Sequence, residues 1–253
     1  MYQVPGMRLI LTFMCTASNP YALYHITPPA AGIHSSTQGS SNIYRARKRN
    51  IMEASGISQQ EVVLRLLEVI EKDIVPITRE AVKKGNKVFG AAILRLSDLS
   101  LVVAGTNTEI ECPLWHGEVA CIKNFWELPE EGRPLPSECL MLATHEPCPM
   151  CVSAITWSAF KEIHFLFSME DSRDAFNIPH DLRIFKEVFK CERATRENEF
   201  WKAYDLPKVA ETLPEANALR EKVIALRETY ASLSVLYQES KDGAANDKRI
   251  PLA

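Results

Sequence analysis

Between residues 88 and 168, four short apolar runs are separated by segments that carry the marks of single helices, and this alternation restricts the chain to a layered α/β fold. VFGAAILRL (88–96) and LSLVVAG (99–105) are joined by a short Ser-Asp turn and read as a β-hairpin. A helical stretch from about Trp115 to Leu128 follows, and then ECLMLAT (138–144) as a buried strand. Pro147 and Pro149 open another helix that runs to about Phe160, and KEIHFLFS (161–168) is the next strand. Strands that alternate with single helices make the later connections parallel crossovers of one sheet.

Upstream, Ser58 is a good helix N-cap with Glu61 three residues later. Val62, Leu66, Val69 and Ile70 then recur at helical spacing, and the helix runs toward Lys84 with Gly85 as its stop and Pro76 as a kink or division. Beyond Ser168 the pattern is mainly helical: Asp181 to Lys190, a stretch near Glu197 to Tyr204, and Pro214 to about Tyr237. Leu219, Val223, Leu226, Tyr230 and Leu233 give the last of these an apolar stripe, read as packing surface. The chain thus divides into an extension (1–52), a compact domain (53–192), a C-terminal helical extension (193–239) and a polar, disordered tail (240–253). The extension is rich in Ser, Thr, Pro and Gly. It reads as disordered, as a targeting segment (Arg8 followed by LILTFMCTA), or as sequence ahead of an internal start at Met52.

Of the 253 residues, 46% are hydrophobic and 24% charged, the make-up of a globular protein, and no apolar stretch approaches the roughly 18 residues of a membrane span. The net charge of −3 hides an asymmetry: Arg8, Arg45, Arg47, Lys48 and Arg49 all precede the first acidic residue, Glu53. The remainder is more acidic than the whole by those five charges and offers no obvious footprint for a polyanion. Seven cysteines in a chain of this length argue against a secreted disulfide framework and for a reducing, cytoplasmic setting. Cys15, Cys112, Cys121, Cys139 and Cys191 read as buried or free thiols.

The chemistry sits in two short segments, each near the start of a helix: His116-Gly117-Glu118, and about thirty residues later Pro147-Cys148-Pro149-Met150-Cys151. Together they supply one imidazole and two sulfurs, a soft donor set suited to zinc that stops at three. Structural zinc sites are usually closed by four protein ligands, whereas three leave a position at which water ionises near pH 7. Cys148 and Cys151, one helical turn apart, can face one ion, and the positive end of a helix favours their thiolate forms. Glu118, two residues after His116, is placed to move a proton from the activated water to a substrate nitrogen and a leaving amine. Cys112 is a conceivable fourth donor that Pro113 turns away. His145 is the remaining histidine near the motif, and Asp171 and Asp174 read as turn or cap residues.

An H-x-E segment followed by P-C-x-x-C is the signature of zinc nucleobase deaminases. Over about residues 58–190 the chain resembles the cytidine deaminase superfamily. The likeness includes FGAAI (89–93), Gly105-Thr106-Asn107, WHGEVACIKN (115–124) and HEPCPMCVSAI (145–155). The resemblance implies a three-layer α/β/α sandwich around a mixed five-stranded sheet, with the C-terminal helices as an addition. It implies zinc held by His116, Cys148 and Cys151, and Glu118 as the proton shuttle. It also implies that Asn107 hydrogen-bonds the substrate, and that Phe89, Gly90 and Ala91 line the base pocket. Trp115 either stacks on the ring or covers the pocket. EPCPMC looks most like the guanine deaminase and tRNA adenosine deaminase group, and HGE like fungal-type cytosine deaminases. The chain after Ser168 departs from every subgroup pattern.

Three functions follow from these features. The first is a deaminase of a small free base or nucleoside, with zinc-bound hydroxide attacking the amino-bearing carbon. The second is a tRNA adenosine deaminase, which needs a basic groove that the acidic body does not offer. The third is a zinc-stabilised interaction protein without turnover, which has no chemical need for Glu118. Relatives of this kind commonly dimerise, which makes a homodimer an expectation by analogy.

Overall fold

The structure is a computed structural model that describes residues 56–243, with side chains described through residue 239. The expectations for 1–52, and for the tail from residue 244 on, lie outside the described residues.

The described chain enters its first helix through the capping box read from the sequence. Ser58 Oγ accepts from the Glu61 N–H at 3.2 Å, and the Ser58 N–H donates to Glu61 Oε2 at 2.8 Å, satisfying groups that a first turn leaves open. Helix α1 (Gln59–Val69) passes through a π-turn (Ile70–Ile74) into α2 (Val75–Lys83). Pro76 lies in the first turn of α2, where its missing N–H interrupts the α-helical ladder and divides the helix. Gly85, at φ +91°, closes it.

Five strands follow: β1 (Gly90–Arg95), β2 (Leu101–Thr106), β3 (Cys139–His145), β4 (Glu162–Phe167) and β5 (Lys202–Asp205). They form one mixed sheet in the order β2-β1-β3-β4-β5. β1 runs antiparallel to β2 and β3, while β3, β4 and β5 are mutually parallel. Helix α3 (Gly117–Glu127) connects the hairpin to β3, and α4 (Pro149–Trp157) crosses from β3 to β4. After β4 come two short helices, α5 (Met169–Asp174) and α6 (His180–Ile184), the latter prolonged by a π-turn to Phe189; α7 (Leu206–Glu211) and the long α8 (Ala216–Gly243) complete the described chain. Among the described residues no helix is long and apolar enough to cross a membrane.

The period of two along the strands sorts the core into two halves. Ala92, Leu94, Leu140 and Leu142 face one side, with residues of α1, α2, α7 and α8. Ala91, Ile93, Cys139 and Met141 face the other, with Cys121, Ile122 and Phe125 of α3 and Ile155 of α4. This is the three-layer sandwich expected from the family resemblance.

Two segments differ from the sequence reading. The stretch near Glu197 to Tyr204 ends in strand β5 instead of forming a helix. Trp201, just before it, is buried among residues of the α3/α4 layer, its indole N–H donating to Thr156 Oγ1 at 2.9 Å. Charged neighbours mask an alternation this short. β5 also lies beyond residue 192, so the sheet crosses the boundary drawn there. The helix expected over Asp181 to Lys190 is one turn of α-helix and one of π-helix, stopped where Lys190 takes φ +56°.

The whole apolar stripe of α8 is buried: Leu219, Val223, Leu226, Tyr230 and Leu233 pack with α1, α2 and the sheet. Arg227 forks onto Asp171 at 3.0 and 3.2 Å, tying α8 to the first turn of α5, while Asp174 is exposed and pairs with Arg173. The Tyr230 ring lies 5.2 Å from Phe167 and 5.7 Å from His145, centroid to centroid. Because Tyr230 is fully buried, Tyr230→Ala is expected to cost about 3–5 kcal/mol, the range for removing a large core aromatic. Urea denaturation checks this; a loss below about 1 kcal/mol would mean that α8 merely rests on the surface.

Candidate active site

The N-termini of α3 and α4 meet beside the C-terminal end of β3. On the α3 side, the Asn107 N–H donates to Phe89 O at 2.8 Å and the Thr108 N–H to Trp115 O at 2.9 Å, which pins the loop after β2. His116 is left as the N-cap of α3, with extended backbone, and Glu118 falls in the first turn. Gly117 between them packs against β1 so closely that a Cβ there would lie 2.8 Å from Gly90 Cα. A side chain there would need the two backbones to move apart, which favours glycine in this HGE segment.

On the α4 side, the Glu146 N–H donates to Phe167 O at 2.7 Å, and the Glu146 carboxylate accepts from the Met169 N–H at 3.2 Å and from Arg196 at 3.0 Å. That clamp fixes the loop that delivers Cys148 to the N-cap of α4 and Cys151 to its first turn. Neither His116 nor Cys148 uses its side chain as a cap.

His116, Cys148 and Cys151 each point one donor atom into a common space, all within 4.8 Å of one another. His116 Nδ1 lies 3.5 Å from Cys148 Sγ, and Cys151 Sγ lies 3.4 Å from Glu118 Oε2. Among the described residues this trio is the group able to hold a metal, and Cys112 is not part of it. One imidazole and two sulfurs, unclosed by a fourth side chain, fit zinc with one position to spare.

The electrostatics match a site that expects a cation. The neighbouring Cys151 sulfur, with help from His116, holds the Cys148 thiol well below its usual range despite burial. Burial, and then Cys148, push the Cys151 thiol up. Two adjacent sulfurs cannot both ionise without a positive charge between them. Burial alone would depress the His116 imidazole, yet Cys148 and Glu109 raise it to about 11. Burial and the nearby Cys148 sulfur raise the Glu118 carboxyl to about 7.

Beside the donors opens a cavity of about 370 Å³. His116 and Cys148 contribute to its wall together with Phe89, Leu114, Ile178 and Phe189, while Cys151 and Glu118 lie deeper and buried. Of the residues expected at the substrate, Phe89 lines this space and four others do not: Gly90 is packed against Gly117, and Ala91, Asn107 and Trp115 lie elsewhere. Ala91 points into the core under α3. The Asn107 amide is fully buried and donates to Glu109 Oε2. Trp115 borders a separate groove, with Lys123 Nζ 5.5 Å from its ring centroid. His145 is enclosed by Phe89, Phe167, Phe176 and Tyr230, and burial lowers it to about 3, so it is a neutral core residue.

Besides its apolar members, sequence reasoning missed three charged residues of this wall: Lys87, Glu109 and Asp181. Asp181, on α6, lines the same cavity as His116 and Cys148, and burial followed by the Cys148 charge raises its carboxyl to about 7. No sequence pattern marks it, because it reaches the site only through the packing of the chain after β4.

Residues 68–167 match the family described as the cytidine and deoxycytidylate deaminase zinc-binding region. A guanine deaminase of Bacillus subtilis (strain 168) is 31% identical over 127 residues, covering 49% of this chain and 77% of that protein. Among solved structures, a guanine deaminase from Nitrosomonas europaea shares 17% identity over 64% of this chain and 84% of its own, with a TM-score of 0.39. A structure from work on A-to-I editing by tRNA:A34 deaminases shares 17% over 58% and 100%, with a TM-score of 0.38.

Cys148→Ala is expected to abolish stoichiometric zinc binding, because two donors remain of three. Metal analysis of the purified variant checks this, and a full zinc equivalent would remove Cys148 from the ligand set.

Proposed function

The chain belongs to the cytidine deaminase superfamily, and from that premise we propose that it is a zinc-dependent hydrolytic deaminase of a small free nucleobase or nucleoside. The observation that carries the reading is a buried carboxylate, Glu118, 3.4 Å from one of three converging metal donors, two of which line a cavity of about 370 Å³. A non-catalytic scaffold has no use for an acid buried at that point.

Zinc, when bound, supplies Lewis acidity that makes water a nucleophile near neutral pH. Glu118 then handles protons. Its buried carboxylate accepts one proton from the attacking water and passes it to the ring nitrogen, then takes the second from the new hydroxyl as the C=O forms and passes it to the departing amine. The balance is one water consumed, one C–N bond broken, one C=O formed and one ammonia released. Phe89, Leu114, Ile178 and Phe189 hold the flat ring and exclude bulk water. Asp181 faces the ring edge, where its carboxylate suits a ring N–H or an exocyclic amine.

The lining favours a small uncharged ring over a phosphate-rich strand. Lys87 is the one lysine or arginine among the lining residues, and it is engaged with Glu109. The 31% identical relative is a guanine deaminase, which makes guanine the first ring to test, followed by cytosine and related aminated heterocycles.

Ammonia release by the zinc-loaded protein, assayed against guanine, cytosine, adenine and their nucleosides, tests the substrate class. Turnover of none of these, with inosine formed in tRNA instead, would refute the small-ring reading. Glu118→Gln is expected to keep its zinc and lose deamination by roughly 10²- to 10⁴-fold, the usual worth of a general acid–base. Undiminished activity in that variant would refute the mechanism.

A further inference from the structure

The cavity wall hides a carboxylate–ammonium pair that the chemistry above does not use. Lys87 Nζ lies 3.1 Å from Glu109 Oε1, and the two side chains are only 5% and 3% exposed. A buried pair of this kind is a poor stabiliser, because desolvation offsets most of its attraction. Its position suggests a different purpose. The same Glu109 Oε1 is 3.5 Å from His116 Nε2, on the far side of the ring from Nδ1, which faces Cys148 Sγ. The other oxygen, Oε2, accepts from Asn107 Nδ2, and Asn107 Oδ1 accepts the Glu109 N–H at 3.1 Å. Held at both oxygens and at its own backbone, the carboxylate is fixed behind the imidazole.

A neutral imidazole has one N–H and one lone pair. A carboxylate at Nε2 draws the proton there and leaves the lone pair on Nδ1, the nitrogen turned toward the two sulfurs. We propose that Glu109, clamped by Asn107 and charge-balanced by Lys87, is a positioning residue that fixes the tautomer and ring orientation of His116 and thereby sets how tightly the site holds zinc. A carboxylate behind a ligating imidazole orients the ring and raises its basicity. The hairpin explains how the parts meet: Lys87 lies just before β1, Asn107 and Glu109 just after β2, and the antiparallel pairing of Gly90 with Thr106 brings the two ends together. Asn107 thus serves the metal centre from behind. The inference rests on His116 being a ligand of the metal.

The test measures zinc affinity by competition with a chromophoric chelator, records the visible spectrum of the cobalt-substituted protein, and follows thermal melting of the metal-free form. For Glu109→Gln the expected result is a zinc affinity lower by roughly 10- to 100-fold, with altered cobalt bands and a metal-free melting temperature close to the parent's. The double variant Glu109→Leu with Lys87→Met removes both charges, so that no lysine is stranded, and is expected to show the same loss. Zinc affinity and cobalt bands indistinguishable from the parent's in both variants would overturn the proposal while leaving the metal centre intact. Loss of the metal-free fold in both would assign the pair to stability and overturn it equally. A parent protein that takes up no zinc would sink the metal centre and this assignment together.

Discussion

The backbone contact between the first turn of α3 and the start of β1 decides where the donors stand. Gly117 and Gly90 approach until even a methyl group would collide, and a second close contact follows along the helix, where a Cβ on Gly105 would meet the Cys121 backbone at 2.8 Å. Seated this low on the hairpin, α3 presents His116 and Glu118 at the end of the sheet where the clamped loop after β3 delivers Cys148 and Cys151. A side chain at 117 would force the backbone of α3 and β1 to shift apart.

That geometry concentrates ionisable groups in an apolar setting. Glu109, Glu118, Cys148, Cys151 and, across the cavity, Asp181 lie close together with Lys87 and His116 as the cations. Such a cluster is costly without a further positive charge, because each anion raises the proton affinity of the next. A divalent metal at the donor trio would resolve the conflict, allowing both sulfurs to ionise and leaving Glu118 to exchange protons as in the function proposed above. Stability is supplied elsewhere, by the layer in which α1, α2 and α8 cover the sheet, so the strained cluster is carried by a rigid frame.

Much of this was legible in the sequence, for identifiable reasons. The hairpin, β3, β4 and the helices between them announce themselves by apolar runs of strand length separated by capped or proline-opened helices. His116, Glu118, Cys148 and Cys151 are adjacent in pairs, so a local motif exposes them. The rest depends on contacts between distant segments. β5 is four residues long and flanked by charge, too short for its alternation to register. Lys87 and Glu109 become partners only once the hairpin closes, and Asp181 reaches the cavity only through the fold of the chain after β4. Asn107 sits where the family resemblance draws attention, yet its amide faces Glu109 instead of the cavity, a direction that sequence spacing cannot specify.

An open metal position beside Glu118 is what the proposed chemistry requires. X-ray absorption at the zinc edge of the zinc-loaded protein tests it most directly. Two sulfurs at about 2.3 Å, one imidazole nitrogen at about 2.0–2.1 Å, and one light donor atom from exchangeable solvent are expected. A third sulfur or a second imidazole in that shell would close the site and contradict it.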